Sequence, residues 1–281
     1  MAKLILCRPK NLPGAARTKV KLQGLKPIAV DKNKYWKGGR VELSVSFLDR
    51  PDTTTRRQII EHMNAWSKWC NVVFRETKGV GQVRISRITE AEDPEMSGYW
   101  SYVGTDVRRR PIGEPTMNLE GFVASTPLRE YKRVVRHETG HTLGCEHEHM
   151  RREIVERIDH EKAYAYFKKY DNWSRKDVDL QVLTPIEEVS LIGTAHADIT
   201  SIMCYDLPAS IMKDGKAVTG GMDINASDGA FMGKIYPKRA AAEKGARPRT
   251  TTAKSSKTRR TSKRTSPPDE AERSEGPRGT A

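Results

Sequence analysis

His137 and His141 stand four residues apart, with Glu138 directly after the first of them. Residues at i and i+4 share one face of a helix about a turn apart, so the two imidazoles can converge on one tetrahedral ion. The Glu138 carboxylate then lies where it can reach a water on that ion without ligating it. Gly144 lets the chain leave the helix sharply, which can bring His147 back as a third nitrogen ligand. Three ligands leave one position open for water, the mark of a catalytic zinc site rather than a structural one. The chemistry is hydrolysis by a zinc-bound water, with Glu138 as general base. Two plainer readings remain: a helix with satisfied surface histidines, or a metal site without turnover.

A helix and a sheet must hold these residues. Ser125 or Thr126 can cap the helix, Pro127 suits its first turn, and Leu128, Tyr131, Val134, Val135 and Leu143 recur at helical spacing. Upstream, 41–47 alternates apolar and polar as a half-buried strand does. Asp52 then precedes a helix with Ile59, Ile60, Met63 and Trp66 on one face. Segments 71–76, 82–87, 99–103 and 116–119 complete a sheet. Downstream, 160–170 and 174–183 read as short helices, and 228–236 as a last one capped by Ser227.

The run from His137 to His147, with a glycine at 144, is the metzincin signature, and the chain resembles that family. Residues 201–205, Ser-Ile-Met-Cys-Tyr, resemble its methionine turn in the astacin-like form, and Glu148 follows the third histidine as it does there. Trp100, Ser101 and Tyr102 are similar to the astacin-like edge strand that lines the cleft. The resemblance covers 36–237. It implies an α+β, two-lobed zincin domain: a twisted mixed sheet with the active-site helix, and a smaller C-terminal lobe. It also implies that Met203 packs beneath the zinc ligands and that Tyr205 is a labile fifth ligand that stabilises the oxyanion. Glu148 would be a buried acid, which in astacins receives the mature N-terminus. Substrate would lie antiparallel to the edge strand at 99–103. The chain departs from the pattern in lacking a recognisable propeptide with its inhibitory aspartate. Tyr99 and the Gly121–Phe122 stretch stand where astacins place a disulfide pair, and Cys70 has no partner on the C-terminal helix. The chain is therefore read as a divergent, astacin-like branch.

The 281 residues carry +14, but +8 of that falls in 238–281, a stretch without Ile, Leu, Val, Met, Phe, Tyr or Trp. A segment with nothing to bury cannot offset its ordering entropy, so 238–281 reads as a disordered basic tail. The organisation expected is an N-terminal arm over 1–35, a catalytic domain over 36–237, and that tail. Residues 254–264, dense in Lys and Arg, could touch a polyanion through phosphates, and lack an aromatic for base stacking. A mean hydropathy of −0.69 and short apolar runs exclude a membrane span. No signal peptide is visible, which gives a cytoplasmic default and leaves export by another route open.

Among weaker signals, His149 could compete with His147 for the metal, but His147 has the family spacing. His62, His160 and His196 have no partner pattern. Cys7, before Arg8 and Pro9, resembles a thiolate latch of some latent metalloproteases, but its flanking residues do not match. Asn172 and Asn225 fit the glycosylation sequon, a match frequent by chance. Cys145 and Cys204 are expected to be neighbours, close enough for a disulfide. The function expected is a zinc-dependent endopeptidase acting on proteins or peptides, with one catalytic Zn2+. The alternative is a non-catalytic zinc-containing binding protein, or a polyanion binder through its tail.

Overall fold

The computed structural model describes Cys7 and residues 29–186, 191–193 and 196–238. The polyanion-binding reading of 254–264 and the rest of the basic tail from 239 onward lie outside the described residues.

In chain order, β1 (Val30–Asp31) precedes β2 (Val41–Phe47), α1 (Thr53–Met63), β3 (Val72–Glu76), β4 (Val83–Ser86), β5 (Tyr99–Ser101) and β6 (Met117–Leu119). Then come α2 (Leu128–Glu130) and α3 (Arg136–Thr142), with a π turn over Tyr131–Val135 between them. The second half holds α4 (Arg152–Val155), α5 (His160–Asp171), α6 (Arg175–Val178), β7 (Leu191–Ile192), β8 (Asp206–Leu207), β9 (Val218–Thr219) and α7 (Ala226–Ile235). This is an α+β fold.

The main sheet runs β3-β2-β4-β6-β5, with β5 antiparallel to β6 and the other pairings parallel. Alternation explains β2, where Val41, Leu43 and Val45 are buried and Glu42 is exposed. Strand β4 is buried along its whole length, including Arg84, as a central strand must be. The Arg84 guanidinium is satisfied by backbone carbonyls, Glu114 O at 2.7 Å among them, and so fixes the loop that enters β6. Edge strand β5 is tied to the helix face by a hydroxyl contact of 3.0 Å between Ser101 and Thr142.

Two apolar cores divide the domain. The larger joins the sheet to α1, α3 and α7 through Leu43, Ile85, Met63, Trp66, Leu143 and Phe231. The smaller gathers Phe167, Trp173, Val178, Leu207 and Ile211 around α5 and α6. No helix among the described residues is long and apolar enough to cross a membrane.

Several element boundaries differ from the sequence reading, for local reasons. The helix bearing His137 starts after Pro127, with no side-chain cap; the Thr126 hydroxyl instead accepts from Val123 N at 3.0 Å. Leu128, read as part of the apolar face, is exposed. Helix α7 is capped by Asn225 rather than Ser227, through a reciprocal box with Asp228. Val30–Asp31, inside the stretch read as an arm, forms β1 and pairs with β7.

Helix α7 approaches so closely that a Cβ at Gly229 would lie 2.1 Å from Trp69 Cδ2. Gly229→Ala should therefore destabilise the domain by about 1–3 kcal/mol, the usual cost of overpacking. Thermal unfolding followed by circular dichroism measures it, and an unchanged midpoint would show that α7 can back away.

Candidate metal centre and active site

Helix α3 presents His137 and His141 on one face, and the turn after it returns His147 to them. The three Nε2 atoms lie 3.1–3.2 Å apart. His137 Nδ1 faces the carbonyl of Ile202 at 2.6 Å, and His141 Nδ1 faces that of Cys145 at 2.7 Å. A carbonyl only accepts, so both Nδ1 atoms carry the proton and both Nε2 atoms point lone pairs inward. Burial holds His137 down to about 4 and drives His141 and His147 well below the ordinary imidazole range, which keeps all three neutral. Converging lone pairs in a buried space repel unless a cation lies between them. Four ligands about 2.05 Å from a tetrahedral ion stand roughly 3.3 Å from one another, close to the spacing here. The donor set therefore fits zinc, and these three residues would hold it.

The exit from α3 is built by distant segments. Gly144 has φ +97°, a left-handed conformation that ordinary side chains avoid, and its Cα faces Tyr35. The last helix carbonyls would otherwise be orphaned. The Trp36 indole donates to Thr142 O at 2.7 Å, the Tyr236 hydroxyl to Leu143 O at 2.6 Å, and Asp31 N to Gly144 O at 3.0 Å. Glu146 N donates to Ala29 O at 2.9 Å, which completes a short antiparallel contact with β1.

Residues 201–205 form a tight turn under the histidines. Ile202 O receives His137, and Met203 O accepts from Glu148 N at 2.9 Å. Met203 is fully buried, and a Cβ on Gly140 would fall 2.4 Å from its sulfur. The glycine between the two helix histidines is thus what lets the thioether pack beneath them. Asp228 of α7 accepts from Ile202 N at 3.0 Å and steadies the turn.

Beside the triad lie Glu138, Tyr205 and Cys7. Burial raises the Glu138 carboxyl to about 8, opposed by a hydrogen bond from Cys7 and the charge of Arg133. The Cys7 thiol donates to Glu138 Oε2 at 3.2 Å, and its sulfur falls within the same group as the three histidine nitrogens, all within 4.8 Å of one another. The Cys7 carbonyl accepts from the Tyr205 hydroxyl, and its backbone makes a parallel bridge to Tyr99 on the edge strand. Cys7 is the residue beside the triad that sequence reasoning set aside. Its contact with Glu138 spans 131 residues, and no local pattern reports such a distance.

The remaining candidates fall elsewhere. His149 turns away from the triad; its Nε2 faces Gln181 O at 3.0 Å, and its ring stacks on Tyr205. Glu148 is buried, with Oε1 accepting from Arg151 at 3.4 Å and from Asp198 N at 3.2 Å. His62 stacks on Tyr131, His160 begins α5, and His196 pairs with Glu153 at the surface. Asn172 ends α5 in the left-handed region, and the Asn225 amide is engaged with Thr200 and Asp198. Tyr99 and Phe122 meet edge to face at 5.8 Å, so an aromatic contact stands where the resemblance places a disulfide. Cys145 and Cys204 are both free: Cys145 packs in the larger core against Met232, Cys204 in the smaller core against its own turn. No disulfide joins the expected pair, and the two side chains pack in different cores.

No known family profile matches the chain. Over 132 residues, 47% of this chain, it is 27% identical to the zinc metalloproteinase nas-27 of Caenorhabditis elegans, a match spanning 27% of that relative. The chain thus matches about a quarter of the curated relative's length. Among solved structures, one of myroilysin aligns with TM-score 0.69 and 29% identity, covering 75% of this chain and 100% of that one. A second myroilysin structure aligns with TM-score 0.56 and 27% identity, covering 84% and 92%. Myroilysin is an astacin-family zinc protease. By fold, donor set and sequence likeness, this chain is similar to the astacin-like metzincins, a family of zinc metalloproteases.

Proposed function

We propose that the protein is a zinc-dependent endopeptidase in which Glu138 is the general base, Tyr205 the oxyanion donor, and His137, His141 and His147 hold the ion. The observation that carries this reading is the convergence of three neutral Nε2 atoms, with a buried carboxylate next to the first. The three histidines would hold zinc, which would supply a water of lowered pKa and a Lewis acid for the carbonyl. Glu138 takes the proton of the attacking water at its carboxylate and passes it to the leaving amine. The Tyr205 hydroxyl donates to the oxygen that gains charge as the carbonyl becomes tetrahedral. The edge of β5 offers backbone groups to an extended peptide, which would pair antiparallel to it once Cys7 has left Tyr99. A zinc-binding protein without turnover would have no use for a carboxylate in that place.

The surroundings of Cys7 support a latent form of this enzyme. One residue places its thiol beside the three histidine nitrogens, its S–H on the base, its carbonyl on the oxyanion donor, and its backbone on the edge strand. Its bridge to Tyr99 is parallel to β5, opposite to the direction proposed for substrate.

Glu138→Gln should keep one zinc per chain and lower casein hydrolysis by about 10²–10⁴-fold, the usual worth of a positioned base. His141→Ala should lose the zinc itself, read by atomic emission on dialysed protein. Turnover unchanged in Glu138→Gln would sink the mechanism.

Cys7→Ser in the full chain should raise casein hydrolysis roughly tenfold or more, since activity follows the fraction of open molecules. In the cobalt-substituted protein, a thiolate-to-metal charge-transfer band should be present with Cys7 and absent with serine. Equal activity and equal spectra in the two proteins would remove the latch.

A further inference from the structure

We infer that His149 is a positioning residue for Tyr205, a fixed aromatic platform that sets the plane of the tyrosine ring beside the histidine triad. This rests on Tyr205 being the oxyanion donor proposed above, and the experiment separates the two claims.

His149 is fully buried two residues past His147, yet none of its atoms joins the metal group. Its Nε2 meets the carbonyl of Gln181 at 3.0 Å, so that nitrogen carries the proton, and its Nδ1 has no hydrogen-bond partner among the described residues. An imidazole held by one hydrogen bond and otherwise by ring contacts acts through its faces. One face lies against Tyr205 with centroids 3.9 Å apart and planes 15° from parallel, the tightest aromatic contact around the site. The His147 ring meets Tyr205 at 4.4 Å but tilted by 54°, so it bounds the tyrosine without fixing its plane.

The tether has its own support. Gln181 lies in the π turn Asp179–Leu183, an irregularity common at functional sites. In the wide-turn pattern its carbonyl would be taken by residue 186, but Ile186 N bonds Met150 O at 3.0 Å instead. The Gln181 carbonyl is thereby left for His149. Fixed backbone orients the imidazole, the imidazole orients the phenol ring, and the phenol hydroxyl points at a peptide carbonyl, here that of Cys7. That is the kind of oxygen an oxyanion donor must meet.

The test uses the full-length Cys7→Ser chain, so that the cleft is open. In it His149→Ala and His149→Leu, the second filling the space without a ring, should each lower kcat about three- to tenfold, the range a lost aromatic contact gives. KM should stay as it was, because only the transition state uses the donor. His149→Phe should restore most of the loss. In a Tyr205→Phe background the same His149 changes should alter kcat little, the mark of a coupled pair. Independently of activity, tetranitromethane should nitrate Tyr205 faster in His149→Ala and His149→Leu, mapped by peptide mass spectrometry, with zinc still at one per chain. Equal kcat losses in both backgrounds, or unchanged nitration in either variant that folds, would make His149 ordinary core and overturn the inference. If Tyr205→Phe alone leaves kcat unchanged, the oxyanion role fails, and nitration still decides the stack.

Discussion

Three imidazole nitrogens aimed at one point in a buried space set the terms for this domain. His137 and His141 both carry the proton on Nδ1, so their Nε2 atoms, 3.1 Å apart, gain nothing from each other. The approach therefore has to be enforced from outside, and the hydrogen bonds behind the rings do this. Ile202 O and Cys145 O choose the tautomer of two histidines and lock their planes. His147, whose Nδ1 has no partner, is held through the backbone on either side of it and by its ring neighbours. The fold can be viewed as the scaffolding that keeps those two carbonyls and one turn in place.

Each support comes from a different part of the chain. β1 braces the turn after α3, the turn at 201–205 supplies the carbonyl for His137, and α7 holds that turn through Asp228. The turn also straddles the two cores: Ile202 and Met203 belong to the larger, Cys204 and Tyr205 to the smaller. The group that supports the metal site is thus rooted in one lobe, and the group proposed to address the oxyanion in the other. A shift between lobes would act on Tyr205 first and on His137 least.

The parts legible in the sequence are those with a local period. The i, i+4 histidines, the alternation of 41–47 and the apolar face of 53–63 each follow from one element's geometry, and the structure reproduces them. The turn around Met203 could be placed by resemblance because its pattern is short and contiguous. What escaped is non-local. Cys7 meets Glu138 across 131 residues, and Trp36 meets Thr142 across 106. Periodicity carries no information about such pairs. The cap of α7 was misplaced by two positions because Ser227 and Asn225 are both competent, and only the reciprocal bond with Asp228 decides. The Cys145–Cys204 expectation assumed that two segments near one site must bring all their side chains together, whereas a turn can send adjacent residues into different cores.

The reach of Tyr236 has a consequence for how the protein is made. Its hydroxyl closes Leu143 O, and it accepts from Trp36 N at 3.2 Å, contacts that span 93 and 200 residues. A chain emerging from the ribosome exposes the histidine helix long before residue 236 is available. Until then the end of α3 lacks one of its carbonyl partners, and the turn carrying His147 lacks its final brace. Contacts of such separation carry a high loop-closure cost and need both ends of the chain to be present. The histidine site is therefore among the last parts of the domain that can be completed, so a nascent or truncated chain carries the motif without the geometry.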